Sequence, residues 1–296
     1  MWSSLTSLLC ILLFALGVFS IESDETSLQI SSLPVPVVKD SAGKIQKARV
    51  VFSTKLSFDT GKDAWKDPEI LNSDPKRLSQ LAKDAYWQMT KNKQWKDKPK
   101  FRPTVMTVMP VGNEIYISSS MKGPQFLYYG KDESNPVYKA LIACQAEISP
   151  DSRHGNDAKC GEMNVLYQYF TDHKGGEPAL VGQPILTVYI EKEEGQKEVV
   201  VTYGAIVRFN PCGTAPADPW GCSQTVGKFG LVGQLSDPGN EFDDNYVPQG
   251  FKASHVTTSC TEATPTRRRR DLSNPKLSTI LRRLFDHATL PLLQIS

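Results

Sequence analysis

Three cysteines stand where the chain could hold a metal ion through thiolates. Cys160 precedes a helical pattern, Cys212 follows a proline at the end of a strand-like run, and Cys222 begins another helical pattern. The free amides and the dipole at a helix start stabilise a thiolate over a thiol. Thiolates converging from two helix starts and a strand end could bind zinc tetrahedrally and leave the fourth position for water, as catalytic zinc sites do.

A carboxylate accompanies this set of thiols. Glu162 lies two residues after Cys160, in the same first helical turn. Zinc lowers the pKa of a bound water towards 7, and an acid–base group must then move protons between the water and a substrate. The Cys-x-Glu arrangement therefore offers both a ligand and a candidate proton carrier.

These residues carry a resemblance to a known family. Cys160-x-Glu162, followed by Pro-Cys212 and then Cys222, resembles the zinc signature of the cytidine deaminase-like superfamily. The chain is similar to secreted, toxin-like and fungal proteins of that superfamily. The resemblance implies that Cys160, Cys212 and Cys222 are the zinc ligands and that Glu162 is the catalytic residue. It also implies hydrolytic attack on an amidine-like ring carbon with release of ammonia.

One spacing differs from the family pattern. The superfamily usually has two residues between its last two cysteines, whereas residues 213–221 separate Cys212 from Cys222 here. We therefore expect this stretch to leave the site and return to it.

The same cysteines admit a disulfide interpretation. In an oxidising compartment cysteines usually pair, so Cys212 could join Cys222, and Cys144 could join Cys260 or Cys160. One of the six cysteines, Cys10, lies in the N-terminal apolar run, so five remain if that run is removed. Three zinc ligands and a Cys144–Cys260 bridge would use all five, which favours the metal interpretation.

The two ends of the chain differ from its middle. An apolar run between Leu8 and Phe19, in a stretch without charge, is typical of a signal peptide over residues 1–20, so we expect a secreted, extracellular protein. Residues 21–48 show no clean periodicity and are predicted to be a loose leader. Residues 261–296 contain the run Arg267–Arg270 and then an amphipathic helical pattern, which indicates a basic tail that is processed or solvated.

The middle of the chain, residues 49–260, is predicted to be one deaminase-like domain. A capped helix is expected after Asp74, then a hairpin around Gly112, a helix over 137–147 and a helix from Cys160. Paired strands at 185–190 and 198–209 follow, and another helix begins at Cys222. This order predicts an α/β fold of the layered α+β kind, a mixed sheet with helices packed on it.

The charge of the chain helps to choose between a small-molecule substrate and nucleic acid. The formal net charge is +2, the tail carries a surplus of basic residues, and the remainder is slightly acidic. A slightly acidic body favours a small-molecule nucleoside or nucleobase over nucleic acid. The sequence thus predicts a secreted zinc-dependent deaminase that acts on a nucleoside, nucleobase or nucleic acid. The alternatives are a non-catalytic secreted effector or binding protein on the same scaffold, and a disulfide-bonded structural protein.

Other polar residues are weaker candidates for the site. His154 and His173 flank the helix that carries Glu162, and either could contact the metal or the substrate. Three serines, Ser118, Ser119 and Ser120, end a hairpin strand and could bind substrate hydroxyls.

Overall fold

The structure is a computed structural model, and it describes twelve stretches of the chain. These are residues 27–32, 38–39, 45–47, 50–92, 102–122, 134–148, 151, 154–173, 180–190, 206–213, 220–233 and 241–256. The predicted signal peptide at 1–20 and the tail at 261–296 lie outside the described residues.

A seven-stranded sheet forms the centre of the fold. Its strands are β1 (Ser31–Ser32), β4 (Phe52–Ser57), β5 (Val105–Val111), β6 (Glu114–Ser119), β7 (Leu186–Ile190), β8 (Ile206–Phe209) and β9 (Lys252–Ser254). The order is β1-β4-β6-β5-β7-β8, and β9 also pairs with β4. Every pairing between these described strands is antiparallel. A separate antiparallel pair joins β2 (Val38–Lys39) and β3 (Ile45–Lys47).

Four α-helices accompany the sheet in the described part of the chain. They are α1 (Pro75–Lys91), α2 (Pro136–Ile148), α3 (Gly161–Asp172) and α4 (Cys222–Lys228). Successive side chains of a strand point to opposite faces of the sheet. In β5, Met106 and Val108 accordingly belong to the apolar cluster that contains α1, and Met109 and Val111 belong to the cluster that contains the other helices. The fold is therefore a layered α/β arrangement with helices against both faces of the sheet. The prediction of a mixed sheet is wrong for the described strands, because they pair antiparallel throughout.

The first long helix forms for local reasons that the sequence predicts. The Asp74 side chain accepts a hydrogen bond from the Lys76 amide at 2.8 Å, and Pro75 occupies the first helical turn. Its apolar side chains recur at helical spacing and are buried. The predicted hairpin is also confirmed, because β5 and β6 pair across a turn in which Gly112 has a φ of 57°.

Two stretches differ from the sequence-based expectation. Residues 27–32, assigned above to a loose leader, contain β1 and the buried core residues Leu28 and Ile30, so the packed domain begins before residue 49. Residues 252–254, which lie beyond the last predicted element, the helix at Cys222, form β9. Strands of two or three residues at a sheet edge are too short to give an alternating pattern, so their pairing comes from tertiary contacts.

Helix length bears on membrane insertion. Among the described residues, no helix is both long enough and apolar enough to cross a bilayer.

Candidate metal centre

Four side chains with metal-binding atoms converge on one point. They are His154, Cys160, Cys212 and Cys222, and their ligand atoms all lie within 4.8 Å of one another. Cys160 Sγ lies 3.6 Å from Cys212 Sγ, which in turn lies 4.0 Å from His154 Nε2. Sulfur ligands at ~2.3 Å from a tetrahedral zinc stand ~3.8 Å apart. The donor spacing therefore matches a four-coordinate ion, and this cluster could hold a metal.

The described cysteines are all free thiols. Cys144, Cys160, Cys212 and Cys222 form no disulfide with one another, so the Cys212–Cys222 bridge considered above does not occur. Cys144 is buried in the apolar layer of α2, α3 and α4, and its expected partner Cys260 lies outside the described residues.

Cys160 reaches the cluster because helix α3 begins directly against the sheet. Cys160 is the N-cap of that helix, and Gly161 follows it. A Cβ on Gly161 would stand 2.2 Å from Thr107 Oγ1 and 3.1 Å from the Ser118 carbonyl oxygen, so only glycine allows this approach. One turn later the Asn164 side chain donates a hydrogen bond to the Ser119 carbonyl at 2.8 Å and holds the helix there.

Cys212 and Cys222 meet because the excursion between them closes at its base. Gly213 and Gly221 are in contact there: a Cβ on Gly213 would stand 2.5 Å from the Gly221 nitrogen. A Cβ on Gly221 would stand 2.7 Å from Cys212 Sγ. The Cys222 amide then donates to Cys212 Sγ at 3.2 Å. The contact between Gly213 and Gly221 thus brings the two thiols together; residues 214–219 lie outside the described part.

His154, one of the two histidines expected to contact the metal or the substrate, is the fourth donor of the cluster. Its side chain is buried, and the ring packs edge-on against Trp220 at 5.2 Å. Its Nδ1 contacts the Gly155 carbonyl oxygen and accepts a hydrogen bond from the Ala158 amide at 3.2 Å, which leaves Nε2 directed at the thiols. A second ring nitrogen held by backbone is the usual arrangement of a metal-binding histidine.

The thiols have unequal proton affinities. Hydrogen bonds from the Cys160 and Cys222 thiols lower the pKa of Cys212. The bond to Cys212 raises the pKa of Cys160, and burial raises the pKa of Cys222. One thiolate is thus stabilised by its two neighbours, and ionising all three requires a cation among them.

Glu162 lies in the first turn of α3, as predicted, and is buried. Thr187 Oγ1 donates to its Oε1 at 2.8 Å, and Thr107 Oγ1 lies 2.7 Å from Thr187 Oγ1. Burial raises the pKa of the Glu162 carboxyl, against the hydrogen bond from Thr187. The two threonines orient the carboxyl, and burial moves its pKa towards the range in which a carboxyl both takes and gives a proton.

A cavity of about 310 Å³ adjoins the cluster. Cys160, Cys212 and Glu162 line one part of it, and the remaining lining residues are Thr104, Val105, Ser120, Met121, Asn156, Asp157 and Lys159. The cavity therefore gives a small molecule access to the carboxyl and to two of the thiols.

The other candidate residues have different positions. Of the three serines, Ser120 lines the cavity, whereas Ser118 and Ser119 are buried and hydrogen-bonded to neighbouring backbone. His173 stands at the far end of α3, 3.4 Å from a Glu114 carboxylate oxygen. The structure therefore brings one of the two histidines to the cluster and leaves the other out.

Searches of family models, of curated proteins and of solved structures find no match to the chain.

Proposed function

We propose that the protein is a zinc-dependent hydrolytic deaminase that acts on a nucleoside or nucleobase. The observation that carries the proposal is that Glu162, Cys160 and Cys212 line the same cavity. A donor cluster and a buried carboxyl at one small-molecule cavity are the parts that metal-assisted hydrolysis of an amidine-like ring carbon needs.

The donor set supports zinc as the metal. Three thiols and an imidazole at tetrahedral spacing suit zinc better than magnesium, calcium or manganese, which prefer oxygen ligands. Bound zinc supplies a water that loses its proton near neutral pH.

Glu162 performs the proton transfer in this proposal. Its buried carboxyl, oriented by Thr187, accepts a proton at one oxygen and returns it to the leaving amino nitrogen. Because burial raises the pKa of this carboxyl, the protonated form is more accessible than for an exposed glutamate.

The cavity supports a small substrate. Its volume of about 310 Å³ lies at the low end of small-molecule sites. At the cavity, Asp157 pairs with Lys159 at 3.3 Å, which offsets the lysine charge that a phosphate would use. A neutral nucleoside or nucleobase is therefore favoured over a nucleic-acid strand.

An ammonia-release assay tests the proposal. We expect release from at least one nucleoside or nucleobase in a panel that also contains single-stranded DNA and RNA. Glu162→Gln should abolish release while the zinc content stays at about one per chain. Glu147→Gln, an exposed glutamate paired with Lys228, is the matched control and should behave as the wild type. Zinc binding without release from any member of the panel would reject the deaminase.

A second function is favoured by one observation. The cluster contains four donors, and four protein ligands are typical of a closed, structural zinc site. A secreted binding protein or effector on the same scaffold would bind zinc without turnover, so the assay above separates the two functions.

Secretion stays part of the proposal. N-terminal sequencing of protein recovered from the medium should find a mature chain that begins near residue 21. Retention inside cells with Met1 intact would reject secretion and leave the metal centre unaffected.

A further inference from the structure

We infer that His154 Nε2 binds the metal in the resting protein and leaves it when a ligand enters the cavity. Metal binding by His154 is inferred from geometry alone. The reason for its release, to open a position for water, rests on the proposed function. Hydrolysis needs a coordination position for water, and a set of four protein ligands leaves none.

The geometry places His154 as a ligand. Its Nε2 lies 4.0 Å from Cys212 Sγ, and it lies within 4.8 Å of the other two sulfurs. Nδ1 has two backbone neighbours, the Gly155 carbonyl oxygen, to which it can donate, and the Ala158 amide, from which it can accept. In the metal-bound form Nδ1 donates to the Gly155 carbonyl oxygen, because this is the tautomer that leaves Nε2 free to bind a metal. The ring is buried against Trp220, whose carbonyl oxygen accepts from the Gly155 amide at 2.9 Å.

The thiols are held more firmly than the imidazole. Cys160 caps α3, and Cys222 begins α4 with its amide on Cys212 Sγ. His154 belongs to neither a strand nor an α-helix and precedes a short turn, Gly155–Ala158, whose last three residues have positive φ. Cys212 also lies outside any helix or strand, but its Sγ accepts from the first amide of α4, so His154 is the donor whose departure leaves both helix starts unchanged.

The turn after His154 is strained. Asn156, Asp157 and Ala158 have φ values of 58°, 52° and 55°, three consecutive left-handed residues of which none is glycine. Asparagine and aspartate tolerate this conformation better than alanine does. If these residues move to ordinary dihedral angles when His154 leaves the metal, the strain energy that is relieved favours its release. Asn156 and Asp157 also line the cavity, so a ligand there would contact the turn itself.

The test uses protein in which cobalt(II) replaces zinc, because cobalt reports its ligands by visible absorption. We expect the wild-type spectrum and X-ray absorption to show three sulfurs and one imidazole nitrogen. In His154→Ala the imidazole signature should disappear. Azide should bind at about a tenfold lower concentration than in the wild type, the factor expected when His154 occupies the position in about nine-tenths of wild-type molecules. His255→Ala is the matched control, because His255 is exposed and contacts Ser31, and it should match the wild type.

A second variant tests release. Ala158→Gly removes the strain of a left-handed alanine while His154 stays bound, so azide should then bind several-fold more weakly than to the wild type. An unchanged spectrum in His154→Ala would overturn the assignment of the ligand. A wild-type protein that ignores azide at a hundredfold the concentration saturating His154→Ala would overturn the release.

These readouts do not depend on turnover. If no variant releases ammonia but the cobalt spectra behave as expected, the deaminase fails and the assignment of His154 as a releasable ligand stands. If the wild type releases ammonia and His154→Ala leaves the spectrum unchanged, the deaminase stands and the ligand assignment fails.

Discussion

The two ends of helix α3 carry side chains of similar metal-binding capacity in opposite electrostatic conditions. At its start, Cys160 joins two further thiols and an imidazole. At its end, Asp172 and His173 join Glu114 in a second group whose ligand atoms are equally close. The ends differ in that Lys55 Nζ lies 2.6 Å from Asp172 and 2.9 Å from Glu114. The second group therefore already contains its cation.

Proton affinities follow this difference. At the far end, burial opposes the charge of Lys55, but hydrogen bonds to Asp172 and Glu114 outweigh it and raise its pKa. Burial likewise opposes ionisation of Asp172, yet hydrogen bonds from Lys55 and Tyr116 lower its pKa. A raised pKa for Lys55 and a lowered pKa for Asp172 mean that each group stabilises the charged form of the other, as in an ion pair. At the start of the helix, by contrast, the thiols share protons among themselves. Close donor atoms are therefore not enough to indicate a metal site. What separates the two groups is that the one at the end of α3 already contains a cation, Lys55, and the thiol cluster does not.

The largest effect should come from removing the metal. Cys222→Ser deletes a buried donor, so the protein should lose its zinc and the stabilisation that binding gives. A metal at a thousandfold its Kd contributes about 4 kcal/mol, and a melting temperature of a domain this size shifts by ~2–4 °C per kcal/mol. We therefore expect melting about 10 °C lower, and a chelator should produce the same shift in the wild type.

Cys144→Ala is the control for that variant. Cys144 is also a buried free thiol, but it lies outside the cluster, so this variant should keep its zinc and its response to chelator. Equal zinc content in wild type and Cys222→Ser would place the metal, if any, elsewhere.

A steric change at the start of α3 should come next. Gly161→Ala puts a methyl group 2.2 Å from Thr107 Oγ1 and 2.9 Å from Thr107 Cβ, so the helix must move away from the sheet. Overpacking of this kind costs about 3 kcal/mol, and urea unfolding measures it. Displacement of Cys160 should also weaken zinc binding.

Gly227→Ala is the matched control. Gly227 is a helical glycine in α4 with nothing within 4 Å of an added Cβ. Alanine there should raise stability by about 1 kcal/mol, since alanine is the better helix former. Equal destabilisation by both variants would contradict the close approach of α3 to the sheet.

At the other end of the helix, Lys55→Met removes the internal cation. The carboxylates of Glu114 and Asp172 and the Tyr116 hydroxyl then remain together without a cation. The free energy of unfolding should fall by about 2 kcal/mol, a value between those of exposed and buried ion pairs. Zinc content should not change. Lys62→Met, in an exposed pair with Glu69, should leave stability unchanged; a similar loss in both would show that the network around Asp172 has no special weight.

Local patterns predicted most of the elements around the site. Asp74-Pro75, the Gly112 turn and the helix after Cys160 are set by short-range chemistry, so their helices and strands appear where the sequence places them. Two-residue edge strands such as β1 have no comparable pattern, because their pairing depends on β4. The burial of Leu28 in the main core likewise depends on tertiary contacts that no local pattern reveals.

The candidate site divides in the same way. The position of Cys160 beside Glu162 follows from helix geometry and was predictable. Convergence of Cys212 with Cys222 across nine residues depends on the contact between Gly213 and Gly221, which spacing alone does not reveal. His154 joins the cluster through a left-handed turn, and the Asn-Asp pair that favours such a turn is a weak signal in any sequence.

The smallest effect should be a change in how protein stability depends on pH, and it should come from Asp172 at the end of α3. Because the pKa of Asp172 is lowered on folding, its contribution to stability is present above the unfolded value near 3.9 and is lost as pH falls through the folded value. Asp172→Asn should therefore flatten the loss of stability below about pH 4, by under about 1 kcal/mol because the group is partly exposed. Urea midpoints between pH 3 and 7 measure this. In a Lys55→Met background the same substitution should have a smaller effect on the slope, since the hydrogen bond from Lys55 that lowers the pKa of Asp172 is gone and the one from Tyr116 remains. An unchanged slope in both backgrounds would mean that Lys55 is not the cation that satisfies this end of the helix, and the contrast with the thiol cluster would lose its electrostatic basis.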